Sequence, residues 1–356
     1  MSDAKVPQAA EKAQVKAEMT ARADDAAAKA RRAATIRTAG IAVGFVVLLF
    51  VVNSLAHGDF LGPGNITNVL RQITVNTIMA VGQTFVIITA GIDLSIGSLV
   101  ALTGVVMAQV ANVLPFGGAG NFAVTLIVGV AIGCAAGWVN AFPVVRLNLP
   151  PFITTLAMMQ IARGLAFIIA HGQPIPLRDS TPFDWLGTGY LFPGVFGLPG
   201  IPFAVLVMAV VAIVFAILLG RTAFGRYVLA LGGNEEAARL AGIDTGRVKT
   251  LVYMISGGCA AVAGLLLVGR FASGAPQNGT GYELQAIAAV VVGGTSLMGG
   301  RGTIVGTFFG ALLIGVLNNV MNLLHVESYT QLIVLGAVIL TALALDALRK
   351  RYVAAR

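Results

Sequence analysis

From residue 39 onward the chain alternates long apolar runs with short clusters of glycine, proline and charge. The runs lie near 39–55, 74–90, 96–114, 121–142, 151–170, 201–219, 250–268, 284–293, 303–324 and 330–347. Most are about 17–22 residues long, which at roughly 1.5 Å per residue crosses ~30 Å of hydrocarbon as a helix. A helix satisfies its own backbone in such a solvent, so each run predicts a membrane-crossing segment. The run at 284–293 is too short by itself and fits a tilted, broken or re-entrant piece.

Composition agrees with that pattern. Of 356 residues, 57% are apolar and 11% are charged, against about 25% charged in an ordinary soluble domain. A water-soluble surface cannot be covered with so little charge, and disorder is excluded by the high apolar content. The net charge is +8, and its placement excludes nucleic acid as the reason for it. Eight of the 23 basic residues precede residue 38 and four follow residue 348. With the amino terminus inside, 19 Lys and Arg fall in cytoplasmic segments and only Arg71, Arg178 and Arg270 in external loops. That asymmetry sets orientation. Both ends inside requires an even number of crossings, so the expected fold is an all-α, multi-pass membrane bundle of about ten helices with both termini cytoplasmic.

Residues 1–37 are Ala-rich and carry both signs of charge. They are too long a charged stretch for a signal peptide, and no small-residue cleavage site follows the first apolar run. They read as a solvated helix or a flexible tail. Cys134 and Cys259 each sit in an apolar run, and His57, His171 and His325 are scattered, so no metal or catalytic constellation is expected.

Two loops stand out by length. Residues 171–200 are rich in Pro and Gly, external, and long enough to carry a short helix. Residues 220–249 are internal and basic. There Asn234 is a good helix cap, Glu235 and Glu236 suit a first turn, and Gly242 suits a stop. The reading is a capped helix of about seven residues isolated between flexible glycine segments. Such a helix is marginal alone; it rests on its own bundle or plugs a cleft in a partner.

Polar and glycine-rich interruptions supply the other candidates. The segment Ala90–Ser98, AGIDLSIGS, breaks an apolar stretch from 74 to 114. Gly91 and Gly97 permit a non-helical backbone, and Asp93 or Ser95 can cap the next helix. It is either a simple cytoplasmic turn or a pore-lining or gating element. Gln83, Asn140, Arg163, Gln285, Asn318 and Asn319 lie within spans and are candidates for lining a path. An Arg at Arg163 must snorkel or pair. GGTSLMGGRG is not a phosphate loop, since Gly299 is followed by Gly300 and Arg301 where Lys and Ser or Thr are required. Gly129, Gly133 and Gly137, and Gly302, Gly306 and Gly310, form four-residue ridges that suit close helix packing, with a dimer contact as the other use.

In motif order and spacing, residues 39–350 resemble the bacterial ATP-binding-cassette permeases for sugars, in their ribose branch. The matching segments are AGIDLSIGS, GNEEAARLAGI at 233–243, and GTGYELQAIAAVVVGGTSLMGGRG at 279–302, followed by GTFFGALLIGVLNNVMNLL. The resemblance implies a permease domain at 38–348 with a coupling loop at 220–249 and a basic cytoplasmic tail at 349–356. It implies ATPase-coupling residues Gly233, Asn234, Glu235, Glu236, Ala237, Ala238, Arg239, Leu240, Ala241, Gly242 and Ile243. It also implies partners: a cytoplasmic ATP-binding subunit, an extracytoplasmic sugar-binding protein and a second permease copy, identical or paralogous. The chain would bind no cofactor, with ATP and Mg used by the partner, and would sit in the bacterial inner membrane carrying a pentose or hexose by alternating access. The competing reading is an ion-coupled secondary transporter. That class places carboxylates or His within spans, and Asp93 is the one candidate here. A membrane enzyme would need clustered catalytic groups.

Overall fold

The most buried helix of the protein is one of its more polar ones. In the computed structural model, which describes residues 59–115, 118–179, 181–193 and 200–354, helix α1 (Pro63–Ile88) is buried without interruption from Ile73 to Ile88. The tail at 1–37 and the expected span at 39–55 lie outside the described residues. The chain divides into a unit Met1–Leu61 and a unit Gly62–Arg356. In the first, a 3-10 turn covers Asp59–Leu61; everything below concerns the second.

After α1 come α2 (Ile96–Val113), α3 (Gly118–Arg146) and α4 (Pro151–Ile169). A loop region follows, with β1 (Ile175–Pro176), α5 (Thr181–Gly187), β2 (Tyr190–Leu191) and β3 (Ile201–Pro202). Then α6 (Phe203–Arg221), α7 (Ala223–Gly233), α8 (Glu235–Leu240) and α9 (Thr245–Phe271) lead to β4 (Ser273–Gly274). The chain closes with α10 (Tyr282–Val292), α11 (Ile304–Leu323) and α12 (Ser328–Ala354). Among the described residues the sheet content is two antiparallel pairs of two-residue strands, β1 with β4 and β2 with β3. The fold is an all-α membrane bundle. Among the described residues, α2, α3, α4, α6, α9 and α11 are each long and apolar enough to cross a membrane.

Helix α1 packs against α9, α11, α10, α6 and α7. Its polar groups are therefore met by protein rather than lipid. The Thr84 hydroxyl donates to the Ala80 carbonyl at 2.7 Å and lies 2.7 Å from the Thr307 hydroxyl on α11. By contrast α6, the most apolar helix, has only 11% of its span buried. Lipid tails are as apolar as Leu, so burial does not select the greasiest helix. This also explains why α1 begins at Pro63, 11 residues before the expected 74. Asn65, Asn68, Arg71 and Gln72 lower the hydropathy of its first turns without ending the helix, and Pro63 suits a first helical position.

The glycine ridges pack helices inside one chain. A Cβ on Gly133 would strike the Gly257 carbonyl of α9, and one on Gly137 the Tyr253 carbonyl. A Cβ on Gly310 would strike the Ala289 carbonyl of α10, and Gly306 faces Gly293 in the same way. Gly133→Ala is expected to destabilise by about 1–3 kcal/mol, as overpacking against fixed backbone does. Gly164→Ala is expected to be neutral or mildly stabilising, because nothing lies within 4 Å of a Cβ there and alanine favours a helix interior. Thermal denaturation of the two variants in one detergent distinguishes them; equal midpoints would contradict the packing argument.

Candidate functional site

Two interruptions and one cavity concentrate the polar chemistry of the bundle. The first interruption is 89–95, between α1 and α2. It leaves the helix through Ala90, whose φ of 60° is left-handed, and at Gly91 a Cβ would stand 2.8 Å from the Tyr253 hydroxyl. Asp93 is fully buried. One of its carboxylate oxygens accepts from the Ser95 N–H at 2.9 Å and from the Ser95 hydroxyl at 2.6 Å. The other accepts from the Ser256 hydroxyl of α9 at 2.7 Å.

The irregular backbone is completed by side chains from its neighbours. With its amide turned to suit, Gln83 donates to the Asp93 carbonyl at 3.3 Å and accepts from the Asp93 N–H at 3.1 Å. Asn140 of α3 donates to the Ser95 hydroxyl at 2.8 Å. Thr155 of α4 donates to the Ile92 carbonyl at 3.0 Å and accepts from the Leu94 N–H at 3.2 Å. Gln83, Gly91, Asp93, Ser95 and Asn140 thus come together as a cluster. The expected cap does not form: Ser95 occupies the cap position of α2 but makes no capping bond. Its hydroxyl is spent on Asp93 and Asn140 instead. Sequence reasoning missed Thr155, Ser256 and Tyr253, which carry no local signal and join the cluster only through tertiary packing.

The second interruption is 272–281, between α9 and α10. Ala272, Gly279 and Gly281 all have positive φ. Arg163 neither snorkels nor lines open space: its guanidinium donates to the Pro276 carbonyl at 2.5 Å and the Asn278 carbonyl at 2.8 Å. The two interruptions meet where Gly97, in the first turn of α2, lies against the Gly279 carbonyl and the Glu283 carboxylate. The short run near 284–293 is accordingly an 11-residue helix, about 16 Å long, entered through irregular backbone.

Beside this junction lies a cavity of about 480 Å³ whose walls include Gln72, Asn76, Thr280, Gln285, Asn318 and Gln331. Asn76 donates to Gln285 at 3.0 Å, and its own carbonyl oxygen is buried without a partner. Gln285 and Asn318 are therefore neighbours, as path candidates should be. Asn319 is not with them; it exchanges two 2.9 Å hydrogen bonds with Asn65 and ties α11 to α1. Gln72 and Asn76 escaped notice, although their four-residue spacing on α1 marks a polar stripe.

The 220–249 loop is more ordered than its glycines imply. Asn234 does cap α8, accepting from the Ala237 N–H at 2.9 Å, and Gly242 ends the segment at φ 83°. Glu236 pairs with Arg239 at 2.8 Å, and Glu235 with Lys249 at 2.6 Å. The hydrogen bond and charge of the Glu236 carboxylate raise the Arg239 pKa. Yet the helix is six residues long and is not isolated between flexible glycines. Gly232 and Gly233 belong to α7, and on the other side Asp244 caps α9 through the Arg247 N–H at 3.0 Å. Gly232 is required by close approach, since a Cβ there would strike the Ile88 carbonyl at the end of α1. That same carbonyl accepts from the Gly300 N–H at 2.9 Å. The ends of α1 and α7 and the turn between α10 and α11 thus meet backbone to backbone, directly before α8. Among the described residues, no group of three or more His, Cys, Asp or Glu is placed to hold a metal ion.

Paired helix interruptions beside a polar cavity recur in membrane transport proteins. Residues 65–343 match the family model for the permease component of branched-chain amino acid transport systems, and the chain belongs to this permease family. It is 43% identical over 307 residues to the ribose import permease protein of Escherichia coli (strain K12), covering 85% of this chain and 92% of that one. It is also 43% identical over 307 residues to the ribose import permease protein of Bacillus subtilis (strain 168), covering 85% and 91%. The L-arabinose transport system permease protein of Escherichia coli (strain K12) is 36% identical over 316 residues, covering 88% and 91%. No solved structure matches the chain. The chain is a transport subunit, not an enzyme.

Ser256→Ala removes one hydrogen bond from the buried Asp93 carboxyl and is expected to cost about 1.5–3 kcal/mol. Thr341→Val, which removes an exposed hydroxyl bonded only to its own helix, should cost far less. Comparing unfolding midpoints of the two purified variants checks this, and an unperturbed Ser256→Ala protein would show that the cluster is not an anchor.

Proposed function

We propose that this permease carries a monosaccharide, a pentose such as ribose or a hexose, as the membrane subunit of an ATP-driven importer. The observation that carries the cargo is the cavity. Its polar walls are amides and hydroxyls with Arg270, and among the described residues no carboxylate lines it. A sugar has no charge and asks for such partners. An amino acid would bring an ammonium group, whose desolvation requires an anionic or well-paired site. The near full-length identity to ribose and arabinose permeases supports the same choice.

The remaining parts of the proposal rest on the chain's likeness to sugar import permeases. We place the chain in the bacterial inner membrane with ten crossings and both termini in the cytoplasm, a topology supported by the Lys and Arg asymmetry. Residues Gly233–Ile243 then face a cytoplasmic ATP-binding subunit, which uses ATP and Mg while this chain binds neither. An extracytoplasmic sugar-binding protein delivers cargo to the opposite face, and a second permease copy completes the path. Exposed Leu240 and the small side chains of α8 suit a groove on the ATPase. When the ATPase subunits close they move α8. The backbone junction of Gly232, Ile88 and Gly300 passes that movement to α1 and to the turn before α11. Helix α1 carries Gln72 and Asn76, and α11 carries Asn318, so the cavity walls shift together. The Asp93 cluster and the Arg163-bound segment act as the fixed gate elements about which they turn. Ion coupling would need an accessible carboxylate on the path, whereas Asp93 is fully buried with both oxygens occupied.

Uptake assays in cells expressing the chain with its cognate partners test the cargo. Labelled pentose or hexose should accumulate and leucine should not, and Gln285→Leu should reduce sugar uptake about tenfold, the equivalent of one lost hydrogen bond. Accumulation of leucine alone would refute the sugar assignment. The coupling role is tested by Glu235→Lys combined with Arg239→Glu. Uptake should disappear and the ATPase should co-purify poorly while membrane insertion is unchanged; normal uptake would sink that role.

A further inference from the structure

A groove of about 700 Å³ lies between the last turns of α3 and the first turns of α9. On α3, Trp138, Phe142 and Arg146 recur at four-residue spacing and so share one face. Trp138 and Phe142 are 53% and 50% exposed, and their rings stand 6.2 Å apart. On α9, Leu251 and Arg247 repeat the pattern from the other side, with Leu251 46% exposed. Each wall is therefore apolar toward the middle of its helix and cationic at its end, and both guanidinium groups lie at the same mouth. Among the described residues Arg146 has no ion pair or side-chain hydrogen bond. Arg247 is paired with Asp244 at 3.0 Å, but that pair is largely exposed, and exposed pairs hold their geometry weakly. The mouth keeps a net positive charge.

We propose that this groove binds one anionic glycerophospholipid, its phosphate on Arg146 and Arg247 and its acyl chains along Trp138, Phe142 and Leu251. The pattern fits an amphiphile and fits little else. An inorganic anion would leave the aromatic wall bare, and a soluble partner would leave it in lipid. Paired basic groups at a membrane surface favour anionic lipid. The inference rests on the topology proposed above, which puts this mouth at the cytoplasmic leaflet. Asp244 caps α9 only four residues after the end of α8, so the bound headgroup would sit beside the hinge of the coupling segment.

The chain has two tryptophans, so Trp185→Phe in the full-length protein leaves Trp138 as the reporter. In nanodiscs, brominated phosphatidylglycerol should quench Trp138 at an about fivefold lower mole fraction than brominated phosphatidylcholine, the preference expected of one net basic group. Arg146→Gln with Arg247→Gln should abolish that preference without changing the helical circular dichroism. Millimolar inorganic phosphate should leave the quenching unchanged. Equal quenching by both lipids would reduce the groove to ordinary lipid annulus and overturn the proposal. Absence of quenching by either would show the face covered by protein, a second copy being the first candidate, and displacement by phosphate would assign the mouth to free anions. None of these readouts depends on cargo or transport, so they fail or succeed separately from the sugar assignment.

Discussion

Inside a bilayer an unpaired backbone N–H or C=O costs roughly several kcal/mol, with no water to relieve it. The architecture follows from how this chain meets that constraint at two of the places where the described chain leaves the helix. At 89–95 the peptide groups are completed by Gln83 and Thr155, and the segment is fastened to α9 by Asp93 through Ser256. At 272–281 the guanidinium of Arg163 does the same work for two carbonyls. Each interruption draws in side chains from helices distant in sequence, so the breaks dictate which helices are neighbours. Freed of helical geometry, the chain can bring Gly97 against Gly279 and leave a polar cavity beside them.

Glycine serves a different purpose elsewhere. Along α3 and α11 it removes bulk so that backbones touch, which in lipid replaces the hydrophobic effect as a reason to associate. At Gly232 and Gly300 the same property builds a joint of main chain alone. A side-chain contact can yield through rotamer changes; a peptide group held against two others moves only with its helix. Placing such a joint next to a six-residue capped helix makes that helix a rigid extension of α7 and α9, where its flanking glycines alone suggest a loose tether.

Much of this was legible in the amino-acid order. Apolar runs located α2, α3, α4, α6 and α11 closely, because for these helices length and hydropathy are set by lipid. The cap at Asn234 and the stop at Gly242 were readable because they are local chemistry. The ridges at Gly133 and Gly310 were readable as packing surfaces but not as to partner. The start of α1 was hidden, since a helix surrounded by protein need not look like a membrane span. The clustering of Gln83, Asp93, Ser95 and Asn140 was half visible: each residue stood out as polar in an apolar context. Thr155 and Ser256, which complete that cluster, did not, since nothing in their own segments marks them. Asn318 and Asn319 show the limit sharply. They are adjacent and chemically identical, and only helix phase sends one to the cavity and the other to Asn65.

The inverted polarity of α1 bears on how the protein is made. A segment carrying Asn68, Arg71, Gln72, Asn76 and Gln83 gains less by partitioning into lipid than the apolar spans α2, α3, α4, α6, α9 and α11 do. Its stabilising neighbours α9 and α11 are translated more than 150 residues later. During synthesis α1 therefore lacks the helices that enclose it until the carboxyl-terminal half has been made. A truncation that removes α11 would therefore leave α1 without one of the helices that enclose it.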